Sequence, residues 1–245
     1  MKKRQDDVVK GKVTTAFILG AGLGTRLRPL TDQTPKPLLN IGGRPLIFHA
    51  LDRLKQIGVN KVIINTHHCA NVYIEVFPEA QYAGLSLMFR HEPELLETAG
   101  GLKNIEDLWD AGESLLIYNG DVLTNLPLEP LVEAHQSAEH EVTLALRSRE
   151  NPRQVSLDPS GRVRDLRGEL GADDRDKRYV YTGICMVNRR FLRRLTAGKK
   201  ESLVPVWLDM IRSGEPPHGL VLDTGFWYDI GTLEMYERLK EGNGL

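Results

Sequence analysis

Residues 13–40 read VTTAFILGAGLGTRLRPLTDQTPKPLLN, and the interpretation of the whole chain depends on this stretch. Its first seven residues are mostly apolar or β-branched, a pattern that predicts a fully buried strand. Gly20, Gly22 and Gly24 follow within five positions. Because a glycine carries no Cβ, such a loop lets several backbone N–H groups approach a bulky anion. The stretch therefore begins as a strand that leads into an anion-binding loop.

Cations follow the glycine loop closely. Arg26 and Arg28 come first, and Lys36 then lies between two prolines that hold it in a stiff extended segment. Two well-known phosphate loops do not match. A dinucleotide fingerprint would require glycine where the chain has Thr25, and a P-loop would require Gly-Lys at Thr25 and Arg26. The stretch therefore predicts a polyphosphate site of another kind.

Length and composition narrow the class of protein. The chain has 245 residues, enough for one large α/β domain or two small ones. Its 32 basic and 33 acidic residues argue against a broad surface for nucleic acid or membrane. No run approaches the roughly eighteen apolar residues of a membrane helix. Two cysteines without ligand-like spacing favour a reducing compartment, the cytoplasm.

The ends of the chain give a simple domain organisation. Residues 1–12 are polar and charged and lack the apolar core of a signal peptide, so we expect a flexible tail. Residues 13–245 contain no internal repeat and no low-complexity linker, which favours one domain. We expect this domain to act as a monomer or a small homo-oligomer.

Buried strands alternate with amphipathic helices along the first half of the chain. Residues 61–66, KVIINT, and 114–119, SLLIYN, predict strands, and residues 43–57 predict a helix with one apolar face and a proline in its first turn. His67 and His68 follow the first of these strands, but no third metal ligand stands at a recognisable spacing, so we interpret them as loop residues.

The second half predicts a hairpin at residues 155–166 and a strand at residues 179–187. Thr182 and Gly183 interrupt that strand, which is typical of a bulge or a close backbone approach. Residues 201–211 carry the apolar stripe of another buried helix.

Three further segments have both a structural and a functional interpretation. A glycine pair opens a helix after Thr98, which is first of all a capping motif with Thr98 as the N-cap. Asp121 follows a central strand, where it suits Mg²⁺ beside phosphates or equally caps the next element. Asp229 ends an aromatic strand, and Asp223, six residues earlier, is expected to be structural.

Four motifs in order resemble the sugar-phosphate nucleotidyltransferases, also called nucleotide-sugar pyrophosphorylases. The chain matches their pattern G-x-G-T-R-[LM]-x-P-L-T…P-K-P-L, and it carries L-E-T-A-G-G, N-G-D and W-Y-D-I-G-T segments at residues 96–101, 119–121 and 227–232. The resemblance covers residues 13–241. It implies an α/β fold with a Rossmann-like, mixed, mostly parallel central sheet flanked by helices.

The resemblance also implies a role for individual residues in nucleotide binding and catalysis. The nucleotide would contact Leu19, Gly20, Ala21, Gly22, Gly24, Thr25, Glu97, Thr98, Gly100 and Gly101. The catalytic residues would be Arg26, Lys36 and Asp121. Asp121 and Asp229 would together bind Mg²⁺, and we expect them to converge if both strands belong to one sheet.

Sugar contacts implied by the resemblance are Asn119, Glu169, Thr182 and Gly183. Glu169 lies in the segment RGEL at residues 167–170, where longer family members often carry an E-K-P segment that holds the sugar. This chain departs from the family pattern there.

The implied reaction joins a nucleoside triphosphate to a sugar 1-phosphate and releases pyrophosphate. Among subfamilies, the short chain and the L-E-T-A-G-G segment most resemble N-acetylmuramate 1-phosphate uridylyltransferases, which favours UTP. Mannose- or heptose-1-phosphate guanylyltransferases come next, and glucose-1-phosphate enzymes third. A non-catalytic, nucleotide-sensing subunit with the same fold is the alternative from another class.

Overall fold

A computed structural model describes residues 13–110, 114–171 and 176–242, and the expected tail at residues 1–12 lies outside them. The strands in the described residues are β1 (Thr15–Leu19), β2 (Asn40–Ile41), β3 (Arg44–Pro45), β4 (Lys61–Thr66), β5 (Gln81–Tyr82), β6 (Leu85–His91), β7 (Ser114–Asn119), β8 (Val122–Thr124), β9 (Val142–Arg147), β10 (Val155–Leu157), β11 (Val163–Leu166), β12 (Lys177–Asn188), β13 (His218–Val221) and β14 (Trp227–Asp229). The α-helices there are α1 (Leu46–Gln56), α2 (Ala70–Val76), α3 (Glu97–Asn104), α4 (Glu129–Ser137), α5 (Leu203–Arg212) and α6 (Leu233–Leu239).

Ten strands form one mixed sheet in the order β11-β10-β12-β7-β1-β4-β6-β5, with β9 on β12 and β13 on β9. Its centre is parallel, because β7, β1, β4 and β6 all run in the same direction. The long strand β12 is antiparallel to β7, β9 and β10. The predicted mixed, mostly parallel sheet flanked by helices is confirmed.

Helices cover both faces of the sheet, so its central strands β1, β4 and β7 are mostly apolar and buried. In β1, Ala16 and Ile18 pack with the apolar face of α1, whereas Phe17 between them packs with α3 and α5 on the other face. The predicted stripe of α1 is buried through Ile47 and Leu51. None of the described helices has the length and apolar character needed to cross a lipid bilayer.

Several local predictions are refined by the structure. The predicted hairpin is β10–β11, and the bulge is confirmed as a register shift between Tyr181 and Cys185 in the pairing of β12 with β9. The predicted N-cap role of Thr98 is wrong, because α3 already begins at Glu97. The Thr98 hydroxyl instead accepts a hydrogen bond from the backbone N–H of Leu203, the first residue of α5.

Candidate active site

The glycine loop leaves the carboxyl end of β1 and forms one wall of a cavity of about 420 Å³, here called the loop cavity. Open α/β sheets bind ligands at this edge of the sheet. The predicted residues that line the loop cavity are Leu19, Gly20, Ala21, Gly22, Gly24, Thr25, Arg26, Lys36, Glu97, Thr98, Asn119 and Asp121. Eleven of the thirteen residues implied for catalysis or the nucleotide line this cavity, and its wall also includes Asn65, Leu95, Ser202 and Gly231.

The opposite wall of the loop cavity is the start of α3, where Glu97 and Thr98 lie. Gly100 and Gly101 do not line it, because they lie inside the helix and are buried against other parts of the chain. A Cβ on Gly100 would collide with the backbone oxygen of Lys199. The structure therefore gives the glycine pair a packing role and places it away from the cavity surface.

A second cavity of about 590 Å³, here called the bulge cavity, adjoins the first. It is lined by the bulge residues Thr182 and Gly183, and Asn119 and Asp121 line both cavities. Glu169 does not line it, because this exposed residue lies in the turn after β11, whereas Arg167 from the same turn does. The bulge cavity is also lined by Glu150, Asn151, Gln154, Tyr181, Trp207, Trp227, Tyr228, Met235 and Arg238.

Asp121 and Asp229 meet at the boundary between the cavities. The Lys36 Nζ atom lies 2.5 Å from Asp121 Oδ2 and 3.9 Å from Asp229 Oδ1, so the two carboxylates flank one ammonium group. The two carboxylates converge although their strands do not belong to one sheet. Asp229 arrives on β14, which pairs with β8 in a separate two-stranded ribbon, with Asp229 opposite Val122.

The ribbon holds the second aspartate firmly beside the first. The backbone N–H of Ile230 donates to the carbonyl oxygen of Asp121 over 3.0 Å. Ile230 is also buried with Leu123 of β8 and Leu239 of α6 in a small apolar cluster. The short antiparallel ribbon of β8 and β14 thus brings the two carboxylates together, although β14 is not part of the main sheet.

The electrostatics of the site follow from this proximity. Burial raises the pKa of Asp229, the neighbouring Asp121 carboxylate raises it further, and Lys36 and Arg26 oppose both effects. The Arg26 guanidinium lies against Gly231. A Cβ built on Gly231 would be 3.0 Å from Arg26 Nη2 and 3.2 Å from Asp229 Oδ1. Two cations and two carboxylates therefore share one small region.

The donor set fits Mg²⁺, which prefers oxygen ligands and is commonly bound through one or two carboxylates plus phosphate and water. Asp121 and Asp229 supply two such carboxylates. In the part of the chain that the structure describes, no group of three or more His, Cys, Asp or Glu side chains could hold a metal ion. A metal here would thus take its remaining ligands from substrate and water.

The histidines and the third aspartate have structural contacts. His67 Nδ1 lies 2.7 Å from the backbone oxygen of Glu92, and His68 Nε2 lies 2.9 Å from that of Thr31. Asp223 accepts hydrogen bonds from the backbone N–H and the hydroxyl of Ser148. These side chains hold loops in place, as the sequence pattern indicated.

Sequence reasoning missed Asn65 although it lies near the carboxyl end of a buried strand. Its Oδ1 atom accepts a hydrogen bond of 2.8 Å from the backbone N–H of Gly20, so it holds the glycine loop directly. A polar residue inside the otherwise apolar run KVIINT was the available signal. The aromatic lining of the bulge cavity had no comparable signal, because Trp207 and Trp227 belong to ordinary apolar patterns.

Known proteins resemble this chain over nearly all of the described residues. A family model for nucleotidyl transferases matches residues 15–242. An N-acetylmuramate α-1-phosphate uridylyltransferase from Neisseria meningitidis is 33% identical over 94% of this chain and 97% of its own. A mannose-1-phosphate guanylyltransferase from Mycobacterium tuberculosis is 29% identical, over 91% of this chain but 62% of its own. A putative glucose-1-phosphate thymidylyltransferase from Bacillus anthracis shares the fold, with a TM-score of 0.77 at 22% identity over 92% of this chain and 93% of its own.

Proposed function

Since the chain belongs to the nucleotidyl transferase family and is a sugar-1-phosphate nucleotidyltransferase, we propose that its substrates are UTP and N-acetylmuramate 1-phosphate. The observation that carries this choice is the end-to-end match to the Neisseria meningitidis enzyme, which covers 97% of that protein. The chain spans only 62% of the mannose-1-phosphate guanylyltransferase from Mycobacterium tuberculosis.

The arrangement of the two cavities supports a reaction between two substrates. The loop cavity would take the nucleotide, with its phosphates on the glycine loop and its base near Glu97 and Thr98. The bulge cavity would take the sugar, beside Thr182 and Gly183. Because Asp121 lines both, the reacting phosphates would meet there.

The reaction forms one P–O bond and breaks another. An oxygen of the sugar 1-phosphate attacks the α-phosphorus of UTP, and the bond to the departing pyrophosphate breaks, so the enzyme needs no nucleophile of its own. The protein supplies positioning and compensation of negative charge. Lys36 would stabilise the charge on the α-phosphate, and Arg26 that on pyrophosphate. Gly20 and Gly22 would let backbone amides approach the nucleotide.

Mg²⁺ is the metal that we assign to this site, with Asp121 and Asp229 as its protein ligands. When bound, it would lower the repulsion between the two phosphate groups that must come together. The two aspartates would also fix the position of the metal between the cavities. We further propose that residues 13–245 work as one domain in the cytoplasm.

The decisive experiment measures pyrophosphate release for every combination of UTP, GTP, CTP, ATP and dTTP with N-acetylmuramate, mannose, heptose and glucose 1-phosphates. UTP with N-acetylmuramate 1-phosphate should give the highest kcat/KM, and a chelator should abolish the activity. Asp121→Asn and Asp229→Asn are the matched controls, each removing nearly all turnover.

A higher kcat/KM for GTP with mannose 1-phosphate would replace the proposed substrates by those of the guanylyltransferases. Nucleotide binding without pyrophosphate release from any pair would instead indicate a sensing subunit. Activity that persists in chelator would remove Mg²⁺ from the assignment.

A further inference from the structure

We propose that Asn65 and Glu92 form a buried hydrogen-bond relay that sets the distance between the glycine loop and the start of α3, and thereby the affinity for the nucleotide. This inference rests on the proposed placement of the nucleotide in the loop cavity. It makes Glu92, a residue outside both cavities, a positioning residue for that substrate.

Three hydrogen bonds connect the two walls of the loop cavity. The Gly20 N–H donates to Asn65 Oδ1 over 2.8 Å, and Asn65 Nδ2 donates to Glu92 Oε1 over 2.8 Å. The Leu96 N–H then donates to Glu92 Oε2 over 3.0 Å. The relay therefore runs from the loop after β1, across the ends of β4 and β6, to the residue that precedes α3.

Burial makes the relay rigid. Glu92 is 0% exposed and Asn65 is 2% exposed. No lysine or arginine forms an ion pair with Glu92 within the described ranges, so the hydrogen bonds to its two oxygens are what compensate a buried carboxylate. The backbone of Glu92 is held as well, because its N–H donates to Thr66 and its carbonyl oxygen faces His67.

Helix α3 leaves room for the relay because residue 101 is a glycine. A Cβ on Gly101 would lie 2.9 Å from Asn65 Nδ2 and 2.9 Å from Glu92 Oε1, closer than a real Cβ approaches either atom. Glycine at this position therefore lets the Asn65–Glu92 hydrogen bond form directly against the helix surface. This gives Gly101 a function in nucleotide binding that needs no contact with the base.

The relay ends at groups that would bind the nucleotide, and it includes none of the side chains proposed to act on the reacting phosphates. Gly20 lines the loop cavity, and Leu96 directly precedes Glu97 and Thr98, which line its opposite wall. Lys36, the cation between the two aspartates, takes no part in the three hydrogen bonds. A change in the relay should therefore alter nucleotide affinity and leave the chemical step and the sugar phosphate alone.

Glu92→Gln is the sharpest test, because it keeps the shape of the side chain. An amide offers one acceptor oxygen and one donor nitrogen, so one of the two N–H groups that Glu92 accepts would face another donor. We expect KM for UTP to rise about tenfold or more, with KM for the sugar phosphate within about twofold and kcat within about threefold. The dissociation constant of UTP, measured by calorimetry, should rise in parallel.

Gly101→Ala tests the same relay without changing Glu92 itself. Its added methyl group should separate Asn65 from Glu92 and reproduce the selective loss of nucleotide affinity to a smaller extent. The matched control is Thr143→Val, which removes the buried hydrogen bond between Thr143 and His135, two residues that line neither cavity. This control should leave both KM values unchanged even if it lowers the thermal stability.

Equal increases in both KM values, or an unchanged UTP affinity in a folded Glu92→Gln or Gly101→Ala protein, would overturn the relay. The proposed function fails differently, through absence of turnover by the wild-type enzyme. Calorimetric UTP affinity distinguishes the two failures, since it reports on the relay without requiring catalysis.

Discussion

Lys36 Nζ and Asp121 Oδ2 lie 2.5 Å apart at the boundary between the loop cavity and the bulge cavity. Only 9% of Lys36 is exposed, so its ammonium group is buried beside the carboxylates instead of extending into solvent. Its charge is held by Asp121 before any phosphate arrives. The chain therefore brings its own positive charge to the place where two anionic substrates would meet.

Lys36→Ala should reduce turnover about a hundredfold or more while the fold is retained. The loss of a charge contact that strengthens in the transition state costs about 2–4 kcal/mol. Pyrophosphate release at saturating substrates is the measurement. The control is Lys61→Ala, which should be fully active. Lys61 pairs with Asp110 at the amino end of β4, away from the cavities. Turnover within threefold of wild type for Lys36→Ala would contradict the assignment.

Asp229→Asn should increase stability at neutral pH in the presence of chelator. Burial, reinforced by Asp121, raises the pKa of Asp229, so the folded state binds the proton more tightly than the unfolded state does. The contribution of Asp229 to stability is then fully present below the unfolded-state pKa and lost as pH rises through the raised pKa. Thermal unfolding across pH should show an advantage of Asp229→Asn that grows with pH.

Asp223→Asn is the matched control for that pH dependence and should behave in the opposite way. Burial favours a higher pKa for Asp223, but the hydrogen bonds from Ser148 prevail and hold the pKa below its usual range. Its stabilising effect is present above the unfolded-state pKa and lost as pH falls. The same pH profile for both variants would contradict the electrostatic argument.

Gly183→Ala should destabilise the protein and weaken sugar phosphate binding. Gly183 has φ +78°, and a Cβ there would lie 2.7 Å from Asn119 Nδ2, a side chain that lines both cavities. Gly214→Ala isolates the backbone effect, because Gly214 has φ +81° with no atom near its Cβ position. Each alanine should cost about 1–2 kcal/mol from backbone strain alone. Only Gly183→Ala should also raise KM for the sugar phosphate.

Thr98→Val should lower the free energy of unfolding by about 1 kcal/mol, the usual contribution of a helix cap. The reason is the 2.8 Å hydrogen bond that the Thr98 hydroxyl accepts from the N–H of Leu203 at the start of α5. Denaturant unfolding measures the change. Ser202→Ala removes a weaker, 3.4 Å cap on Val204 and should cost less. A larger loss for Ser202→Ala would reverse the order of these two caps.

The sequence predicted those parts of the site that depend on short segments. The apolar run before Gly20 and the strand that ends in Asn119 were both identified, because a buried strand and the loop that follows it are local in sequence. The parallel sheet then places these loops at one edge. The approach of Asp121 to the glycine loop followed from that rule.

Contacts between distant segments were not predictable in the same way. Asp229 reaches the site through a ribbon with β8, and no periodicity in either segment indicates that pairing. The L-E-T-A-G-G segment was interpreted as a contact surface, whereas Gly100 and Gly101 pack against Lys199 and the Asn65–Glu92 bond. Such close contacts depend on the tertiary arrangement of segments that are distant in sequence, and local sequence patterns do not predict that arrangement.

The ribbon of β8 and β14 has a consequence for the order in which the enzyme becomes active. Its hydrogen bond from Thr124 to the carbonyl of Phe226 closes a separation of 102 residues. During synthesis on the ribosome, the glycine loop, Lys36 and Asp121 all emerge long before Asp229. A nascent chain therefore holds the first aspartate without the second, and the two carboxylates come together only after β14 has emerged and paired with β8.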